Sequence, residues 1–290
     1  MQKRQFEIIT DSGCDMPTEY LEKHGIICVK LGFTMNNINY EGENGEKITE
    51  TEFYQKLRDG AMPTTYQVTG EMAKNALERV VAKGKDALVI AFSSGLSGTA
   101  DSFKVAGREL EKKYPECKIY ILDSLCASMG QGLLLDYAIE EADKGKSIEE
   151  TAKFLENLKR KICHHFTVDN LYHLKRGGRV STATAIVGSI LKIKPIMKVD
   201  EAGKLVSVSK SVGRKKALRT LVDNLVESIE ESADRIFISH GDCLADVEQV
   251  KSMISQRFPT LPITVHFIGP VIGCHSGAGT LALFVKGKKR

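Results

Sequence analysis

The sequence predicts an α/β protein of two domains, the first built on a parallel sheet and the second on a largely antiparallel sheet. A chain of 290 residues suits two domains of ~150 residues each. In the first half, strand-like and helix-like segments alternate, which is typical of βαβ units and a parallel sheet. In the second half strand-like runs predominate, and a hairpin turn at residues 200–204 makes two of them antiparallel neighbours.

The first half alternates between short apolar strands and amphipathic helices. Strands are predicted at residues 7–9, 26–31, 87–92 and 118–122, and helices at residues 17–24, 51–58, 69–83, 100–113, 125–143 and 147–161. The 87–92 segment is apolar throughout, as expected of a strand buried on both faces of a parallel sheet. Residues 32–60 are polar and rich in Asn and Gly, so we expect a long loop there that contains only one helix.

The second half contains six strand-like runs and two long amphipathic helices. The strands are predicted at residues 165–168, 194–199, 205–211, 235–239, 263–268 and 281–285, and the helices at residues 214–231 and 244–257. A further apolar helical face follows the first run and comprises Ala183, Ile186, Val187, Ile190 and Leu191. Such a face is more often plain core than a ligand tunnel. Because the pattern changes after the 147–161 helix, we place the domains at residues 1–163 and 164–290.

Composition and charge exclude several classes of protein. The net charge of +4 is too small to indicate a nucleic-acid partner. The longest apolar run, residues 87–92, is far shorter than the ~20 residues that span a bilayer, and no signal-peptide core follows the basic N-terminus. The seven cysteines are scattered without a Cys-x-x-Cys pair, which argues against a disulfide framework and a structural zinc site. We therefore expect a cytoplasmic protein without a metal.

Three familiar site motifs fail on their structural context. Residues 145–147 resemble the end of a phosphate-binding loop, but position 140 is Glu and the preceding segment is helical. Residues 277–282 match a dinucleotide-binding fingerprint, yet only eight residues follow, too few for a βαβ unit. Residues 95–99 lack the final Gly of a nucleophile elbow.

Small hydroxyl and glycine residues follow several predicted strands. These segments are residues 10–12, 64–65, 93–99, 123–124 and 276–280. Loops at the carboxyl ends of parallel strands converge on one crevice, and the 93–99 turn opens a helix, so its backbone N–H groups favour an anion. Helix capping suffices to explain 10–12 and 123–124. Six small residues of seven at 93–99 exceed what capping requires, so we expect a ligand there.

Two further segments contain candidate functional side chains. His275 lies between Gly273 and Gly277 in a predicted loop that no core requires, so we favour a ligand contact over a structural role. Arg176 and Arg179 end a short helix, either as solvated residues of a C-cap or as part of a docking or anion-binding surface. Three further histidines, His164, His165 and His173, show no metal-ligand spacing and are interpreted as strand or helix-face residues.

The order of these motifs along the chain resembles the DegV family, the fatty-acid-binding subunits of bacterial fatty acid kinase. The matching segments are Ile9-Thr-Asp-Ser12, Pro63-Thr-Thr65, Ser93-Ser-Gly-Leu-Ser-Gly-Thr99, Asp123-Ser124 with Gly130 and Gly132, Leu174-Lys-Arg-Gly-Gly-Arg179, Lys194-Pro-Ile196 and Gly273-Cys-His-Ser-Gly-Ala-Gly279. Each segment is short, but their joint order over the whole chain is specific. One departure occurs where the family usually has Thr-Ser-Gln-Pro and this chain has Thr65-Tyr-Gln-Val68.

The resemblance implies a three-layer domain on a parallel sheet, a second domain on a six-stranded antiparallel sheet, and a long-chain fatty acid bound between them. The six strand-like runs after residue 164 agree with the implied strand count. The residues implied to contact the carboxylate of the fatty acid are Thr65, Ser93, Ser94 and His275. The departure at Tyr66 and Val68 implies a differently shaped Thr65 loop and an altered chain-length preference.

The function implied by the resemblance is that of a carrier rather than an enzyme. Each buried methylene contributes about 0.8 kcal/mol, so a long acyl chain supplies roughly 10 kcal/mol before association costs. The carboxylate costs free energy to desolvate unless hydrogen-bond donors meet it. A separate ATP-binding kinase subunit would then phosphorylate the presented carboxylate to an acyl phosphate. This chain would need no cofactor and would make at most transient contact with a membrane.

Two alternative functions remain open at this point. The first is a small-molecule hydrolase or acyltransferase, with Ser93 or Ser94 as the nucleophile and His275 as the base. The missing elbow and the missing third member of a triad argue against it. The second is a regulatory binding module that uses the surface formed by residues 175–179.

Overall fold

The strands of the chain form three sheets within residues 4–42, 44–169, 171–181 and 192–290, which the computed structural model describes. The strands are β1 (Phe6–Asp11), β2 (Ile27–Val29), β3 (Gly32–Met35), β4 (Ile38–Glu41), β5 (Thr64–Tyr66), β6 (Asp86–Ala91), β7 (Ile119–Asp123), β8 (Ile162–Thr167), β9 (Ile193–Val199), β10 (Leu205–Val212), β11 (Ile236–His240), β12 (Ile263–Phe267) and β13 (Leu281–Lys286). The helices are α1 (Thr18–Lys23), α2 (Glu50–Arg58), α3 (Gly70–Val81), α4 (Thr99–Lys113), α5 (Met129–Asp143), α6 (Ile148–Leu158), α7 (Tyr172–Arg176), α8 (Arg214–Ser228), α9 (Leu244–Arg257) and α10 (Pro270–Ser276). The apolar face predicted at Ala183, Ile186, Val187, Ile190 and Leu191 lies outside the described residues.

The N-terminal sheet is parallel, with the strand order β2-β1-β6-β7, as the βαβ pattern predicts. Successive residues of β6 face opposite sides of this sheet. Leu88 belongs to the hydrophobic core that includes α5, whereas Val89 belongs to the core formed with α3 and α4. Helices therefore cover both faces, which explains why the strand is apolar throughout and confirms the three-layer arrangement.

The second sheet has six strands in the order β10-β9-β8-β13-β11-β12. All neighbouring strands are antiparallel except β11 and β12, which are parallel. The predicted turn at residues 200–204 joins β9 to β10, and α8 and α9 pack on one face of the sheet around Ile196, Leu221 and Ile238. The predicted six-stranded, largely antiparallel sheet is thus confirmed.

Helix α5 lies between the two sheets. It contacts β1 and β6 of the parallel sheet and β8, β11 and β13 of the six-stranded sheet, and most of its 15 residues are buried. Gly130 permits the close approach to β8, because a Cβ atom there would lie 2.2 Å from His164 Nε2. One hydrophobic core consequently extends from Leu88 in the first sheet to Phe284 in the second.

The long loop predicted over residues 32–60 is wrong apart from its helix. β3 and β4 form an antiparallel hairpin, and β5 pairs with β3 to complete a three-stranded sheet. Asn36 and Asn37 adopt φ values of 53° and 62°, the left-handed conformation that tight hairpin turns require. Phe33 and Tyr40 are buried and stack with ring centroids 5.2 Å apart. The Asn-Asn pair between alternating apolar residues was the signal that the sequence prediction missed.

Several predicted element boundaries also differ from the structure by a few residues. The strand predicted at residues 26–31 ends at Val29. The helix predicted from residue 125 begins at Met129, because Leu125 and Ser128 have positive φ values that a right-handed helix excludes. The domain boundary predicted between residues 163 and 164 falls within β8 and stays a prediction. Among the described residues, no helix combines the length and apolar character that crossing a membrane requires.

The position of α5 between the sheets predicts the effect of truncating its core side chains. Leu134 is fully buried, so we expect Leu134→Ala to lower the free energy of unfolding by about 2–5 kcal/mol through the cavity that it creates. Val105→Ala on α4, where the side chain is 54% exposed, is the control and should change this free energy by about 0.5 kcal/mol or less. Urea denaturation followed by circular dichroism measures both. Equal effects of the two substitutions would contradict the packing described for α5.

Candidate functional site

A cavity of about 340 Å³ lies between the carboxyl ends of the parallel strands and the six-stranded sheet. Its wall is mainly apolar, with side chains from both sheets and from α10, among them Leu31, Phe92, Phe166, Leu205, Val271 and Phe284. The polar residues in the wall include Thr65, Gln67, Ser97, Ser128, Arg179 and His275. An apolar cavity of this size with a few convergent polar groups is typical of a small-molecule binding site.

Thr65 and His275 meet in the wall of this cavity. Thr65 lies on β5, where pairing with Phe33 of β3 fixes its position, and His275 lies in the last turn of α10. Thr65 Oγ1 and His275 Nε2 are 2.8 Å apart. The structure thus brings together two of the four residues predicted to contact a ligand, although one precedes the other by 210 positions.

The predicted loop around His275 is wrong, because this residue is helical. Pro270 occupies the first turn of α10, where its fixed φ suits a helix, and Gly277 ends the helix at a φ of 80°. Gly273 serves close packing rather than a turn, since a Cβ atom there would lie 2.6 Å from Phe53 Cε1. The glycines of this segment led to the prediction of a loop, whereas Gly273 lies in a helix that packs too closely against Phe53 for a side chain at this position.

Burial controls the protonation of His275. Burial and, as smaller contributions, the nearby guanidinium groups of Arg179 and Arg176 together lower the pKa of His275 to about 4. The imidazole is therefore neutral at pH 7. Its Nδ1 atom is buried and has no hydrogen-bond partner among the described residues.

Ser93 and Ser94, the other two predicted contact residues, do not belong to the cavity wall. Ser93 is fully buried, and its hydroxyl donates to Gly203 O at 2.8 Å. Ser94 is exposed, and its backbone N–H donates to Asp123 Oδ1 at 3.1 Å. None of the hydrogen bonds found among the described residues joins His275 to either serine, so the geometry of a serine–histidine pair is not present in this conformation.

The N-terminus of α4, predicted to attract an anion, is already partly capped. The N–H of Gly98 donates to Gln67 Oε1 at 2.9 Å, and the N–H of Thr99 donates to Ser97 Oγ at 3.3 Å. Gln67 and Ser97 both line the cavity. Ser97 belongs to the 93–99 segment where the sequence predicts a ligand, whereas sequence reasoning did not single out Gln67. The only signal for Gln67 was its place in the motif that follows Thr65.

Arg176 and Arg179 form hydrogen bonds to backbone carbonyls in and beside the cavity wall. Arg176 is exposed, yet its guanidinium donates to Pro63 O at 2.9 Å and to Cys274 O at 3.2 Å. Pro63 lies two residues before Thr65, and Cys274 lies directly before His275. Arg179 is half-buried, lines the cavity, and donates through Nε to Leu96 O at 3.1 Å. Both predicted arginines therefore lie at this site, and their side chains connect the segments that carry the other candidates.

A buried hydrogen-bond network that sequence reasoning missed adjoins the cavity. Ser128 lies in the cavity wall, with its Oγ atom 2.5 Å from Asp15 Oδ2 and 2.9 Å from Ser239 Oγ. Its φ of 55° and ψ of −146° are strained for a residue with a side chain. Burial raises the pKa of Asp15 to about 8. Nothing in the sequence distinguishes Asp15 from an ordinary surface carboxylate, because its partners lie more than 100 residues away.

His164 lines the cavity but has the structural role that the sequence predicts. Its Nδ1 atom lies 2.9 Å from Ile162 O, and its Nε2 atom accepts the N–H of Ala127 at 3.3 Å. Burial keeps its pKa well below the usual range. In the described part of the chain, no three His, Cys, Asp or Glu side chains are grouped so as to hold a metal ion.

Comparison with known proteins shows to which family this chain belongs. The model of the family described as "Uncharacterised protein, DegV family" matches residues 5–288. The chain belongs to the DegV family. A DegV domain-containing protein of Clostridium perfringens is 43% identical over 285 residues, which cover 98% of each chain.

Two solved structures of DegV-family proteins are similar over the whole length. One shows fatty acid binding of a DegV family protein from Thermus thermophilus; it is 28% identical, has a TM-score of 0.85, and the match covers 98% of this chain and 100% of that one. The other is DegV of Bacillus subtilis, described as a fatty acid binding protein; it is 29% identical, has a TM-score of 0.82, and the match covers 99% and 100% of the two chains.

The departure of this DegV-family chain from the usual motif leaves the Thr65–His275 pair intact. The ring of Tyr66 lies over two glycines, since a Cβ atom on Gly32 would be 2.1 Å from the Tyr66 hydroxyl and one on Gly42 would be 2.6 Å from it. Thr65 thus lies on a paired strand rather than in a loop. The altered chain-length preference stays a prediction.

The buried Asp15 carboxyl predicts a pH dependence of stability. The folded chain holds this proton up to about pH 8, whereas an unfolded Asp releases it near pH 4. Between these values the folded state binds more protons, so the stability that the protonated Asp15 contributes is lost as pH rises, by at most about 1.4 kcal/mol per pH unit. We expect the unfolding free energy of the wild type to fall relative to that of Asp15→Asn over this range.

Urea unfolding at a series of pH values measures this difference. Asp101→Asn, an exposed position on α4, is the control and should follow the wild type at every pH. Parallel curves for the wild type and Asp15→Asn would show that Asp15 titrates normally.

Proposed function

We propose that this protein binds a long-chain fatty acid in the cavity between its sheets and presents the carboxylate to a partner kinase. The observation that carries the proposal is an apolar cavity with the Thr65–His275 pair in its wall. Apolar walls favour an acyl chain at about 0.8 kcal/mol per methylene, which provides the affinity. The polar pair offsets the desolvation of the acid and fixes its orientation.

The neutral His275 defines how the head group is held. With Nε2 protonated, His275 donates to Thr65 Oγ1, and the Thr65 hydroxyl then donates its own proton to the carboxylate. Ser93 and Ser94, in the turn that follows β6, complete the proposed set of contacts, and Ser93 requires a rotation of its hydroxyl away from Gly203. In this proposal the chain needs no cofactor to bind the fatty acid.

Related proteins support the choice of ligand. The Thermus thermophilus and Bacillus subtilis proteins, both described as binding fatty acids, are 28% and 29% identical to this chain and align over nearly all of it. The six-stranded sheet and the parallel sheet enclose the cavity together, so the proposal also places the acyl chain between the two domains, residues 1–163 and 164–290.

The proposed binding predicts a specific loss of affinity at Thr65. Thr65→Val keeps the shape and removes only the hydroxyl, so the affinity for oleate should fall about 10-fold to 100-fold, as for other hydrogen bonds to a charged group. Isothermal titration of delipidated protein measures this affinity. Thr64→Val, at the exposed neighbouring position of β5, is the matched control and should bind as the wild type does.

Mass spectrometry of the purified, denatured protein provides an independent test, because a carrier should retain a long-chain fatty acid. Absence of bound lipid together with no uptake of added oleate would refute the proposal. Unchanged oleate affinity in Thr65→Val would remove Thr65 from the site but leave the cavity as the binding place.

The second part of the proposal concerns the partner. An ATP-binding kinase subunit in the cytoplasm transfers the γ-phosphoryl group to the presented carboxylate, which yields an acyl phosphate and ADP. Arg176 and Arg179 are proposed to form the docking surface, since they lie beside the cavity wall and carry positive charge. Catalysis is assigned to the partner because no described hydrogen bond pairs His275 with a serine.

Charge reversal at Arg176 tests the docking surface. At oleate concentrations that saturate the variant, Arg176→Glu should lose acyl phosphate formation when the kinase and ATP are added, because reversing the charge at a docking surface slows association. Arg108→Glu, at an exposed position on α4, is the control and should support phosphorylation at the wild-type rate. Full phosphorylation of the oleate-saturated Arg176→Glu variant would reject a docking role for Arg176.

A further inference from the structure

The hydroxyl of Ser93 links the two halves of the molecule. Ser93 follows β6 of the parallel sheet, and it donates to the carbonyl of Gly203 in the turn between β9 and β10 of the six-stranded sheet, at 2.8 Å. The N–H of Gly95 donates to the same hydroxyl oxygen at 3.2 Å. The two segments of the chain are in close contact here. A Cβ atom on Gly203 would lie 2.1 Å from Ser93 Oγ, and one on Gly95 would lie 2.7 Å from Gly203 O.

The turn that Ser93 holds, residues 200–204, adjoins the cavity. Val199 and Leu205, on either side of the turn, both line the cavity wall. Within the turn, Asp200 Oδ1 accepts the N–H groups of Ala202 and Lys204, each at 2.9 Å. The turn is therefore a preformed unit, and Ser93 fixes it against the other half of the molecule.

A hydroxyl group has one proton to donate, and this proton is already engaged. The Gly203 residue is buried, and Ser93 is the donor that the described structure provides for its carbonyl oxygen. A fatty-acid carboxylate that accepts the hydrogen bond from the Ser93 hydroxyl leaves this carbonyl without a donor. Since an unpaired buried carbonyl is costly, the carbonyl has to turn toward water.

We propose that Gly203 is a positioning residue of the head-group site: its carbonyl holds the Ser93 hydroxyl until a carboxylate accepts the hydrogen bond instead, and the 200–204 turn is then released. The inference rests on the proposed fatty-acid function and extends it, because it makes the 200–204 turn the part of the surface that differs between the empty and the loaded protein. The acyl chain alone does not cause the release, since only the carboxylate competes for the Ser93 proton.

Amide hydrogen exchange of the full-length protein with two ligands of equal chain length tests the proposal. Oleate and oleyl alcohol fill the cavity alike, but only oleate carries a carboxylate. We expect the amides of residues 202–204 to exchange about threefold to tenfold faster in the oleate complex, the factor that corresponds to one ordinary hydrogen bond. In Ser93→Ala, exchange should be fast with both ligands and the difference between them should vanish.

A pair of glycine substitutions controls for backbone strain. Gly203→Ala places a methyl group against Ser93 Oγ at a φ of +75°, so it should displace the turn and abolish the difference between the ligands. Gly84→Ala, at a φ of +68° with open space around it, carries similar strain and should retain the difference.

The possible outcomes separate the two proposals. Equal exchange in the two complexes, or a difference that persists in Ser93→Ala, would overturn the role of Gly203 while fatty-acid binding stands. Failure of oleate to bind the wild-type protein would overturn the fatty-acid proposal and this inference with it.

Discussion

The packing of α5 between two sheets is the constraint on which the rest of the structure depends. A helix that is buried on nearly all sides sets the distance between the layers on either side of it. Gly130 lets the six-stranded sheet approach as closely as His164 allows. The helix begins at Met129, and Ala127 and Ser128, just before it, belong to the cavity wall. The space between the two sheets, which α5 fills along its length, thus continues beyond the N-terminus of α5 as the cavity.

The chain entering α5 is forced into an unusual conformation, and buried polar groups stabilise it. Ser128 adopts backbone angles that cost roughly 1–3 kcal/mol for a residue with a side chain. Its hydroxyl bonds to Asp15, in the segment that follows β1, and to Ser239 on β11, so the strained residue is held by both halves of the chain. Because the carboxyl of Asp15 is buried and has no cationic partner among the described residues, it keeps its proton near neutral pH. A neutral acid in this position can donate as well as accept, which a carboxylate cannot.

The sequence predicts those features that depend on local pattern and fails where the cause is distant. The apolar run at residues 87–92 predicted a buried parallel strand. A strand buried on both faces is apolar at every position, and this pattern is visible in the local sequence alone. The hairpin at Asn36 and Asn37 was missed, because its strands are four residues long and contain few β-branched side chains. The helix around His275 was taken for a loop, since the reason for Gly273 is a contact with Phe53, far away in the chain.

The candidate site shows the same division. The resemblance implied Thr65 and His275 as contacts of one carboxylate, and the structure places these two side chains together. The arginines were predicted as solvated C-cap residues or as a docking or anion-binding surface, and the structure places both of them beside that pair. The motif order did not reveal that Ser93 donates to Gly203, because that contact depends on how the second sheet folds back onto the first. The raised pKa of Asp15 likewise comes from burial in the folded chain, and its partner Ser128 lies more than 100 positions away in the sequence.

The electrostatic character of the site suits a carrier that has to give up its ligand. A buried cation opposite a carboxylate would bind it strongly and would leave an uncompensated charge on release. His275 avoids this problem because burial and two neighbouring guanidinium groups keep its imidazole neutral at pH 7. The guanidinium of Arg179 is bonded to the backbone carbonyl of Leu96 and is only half-buried, so solvent screens its charge. In the proposed complex the acyl chain supplies most of the binding free energy, and neutral donors hold the acid through hydrogen bonds that water or a partner's groups replace at small cost.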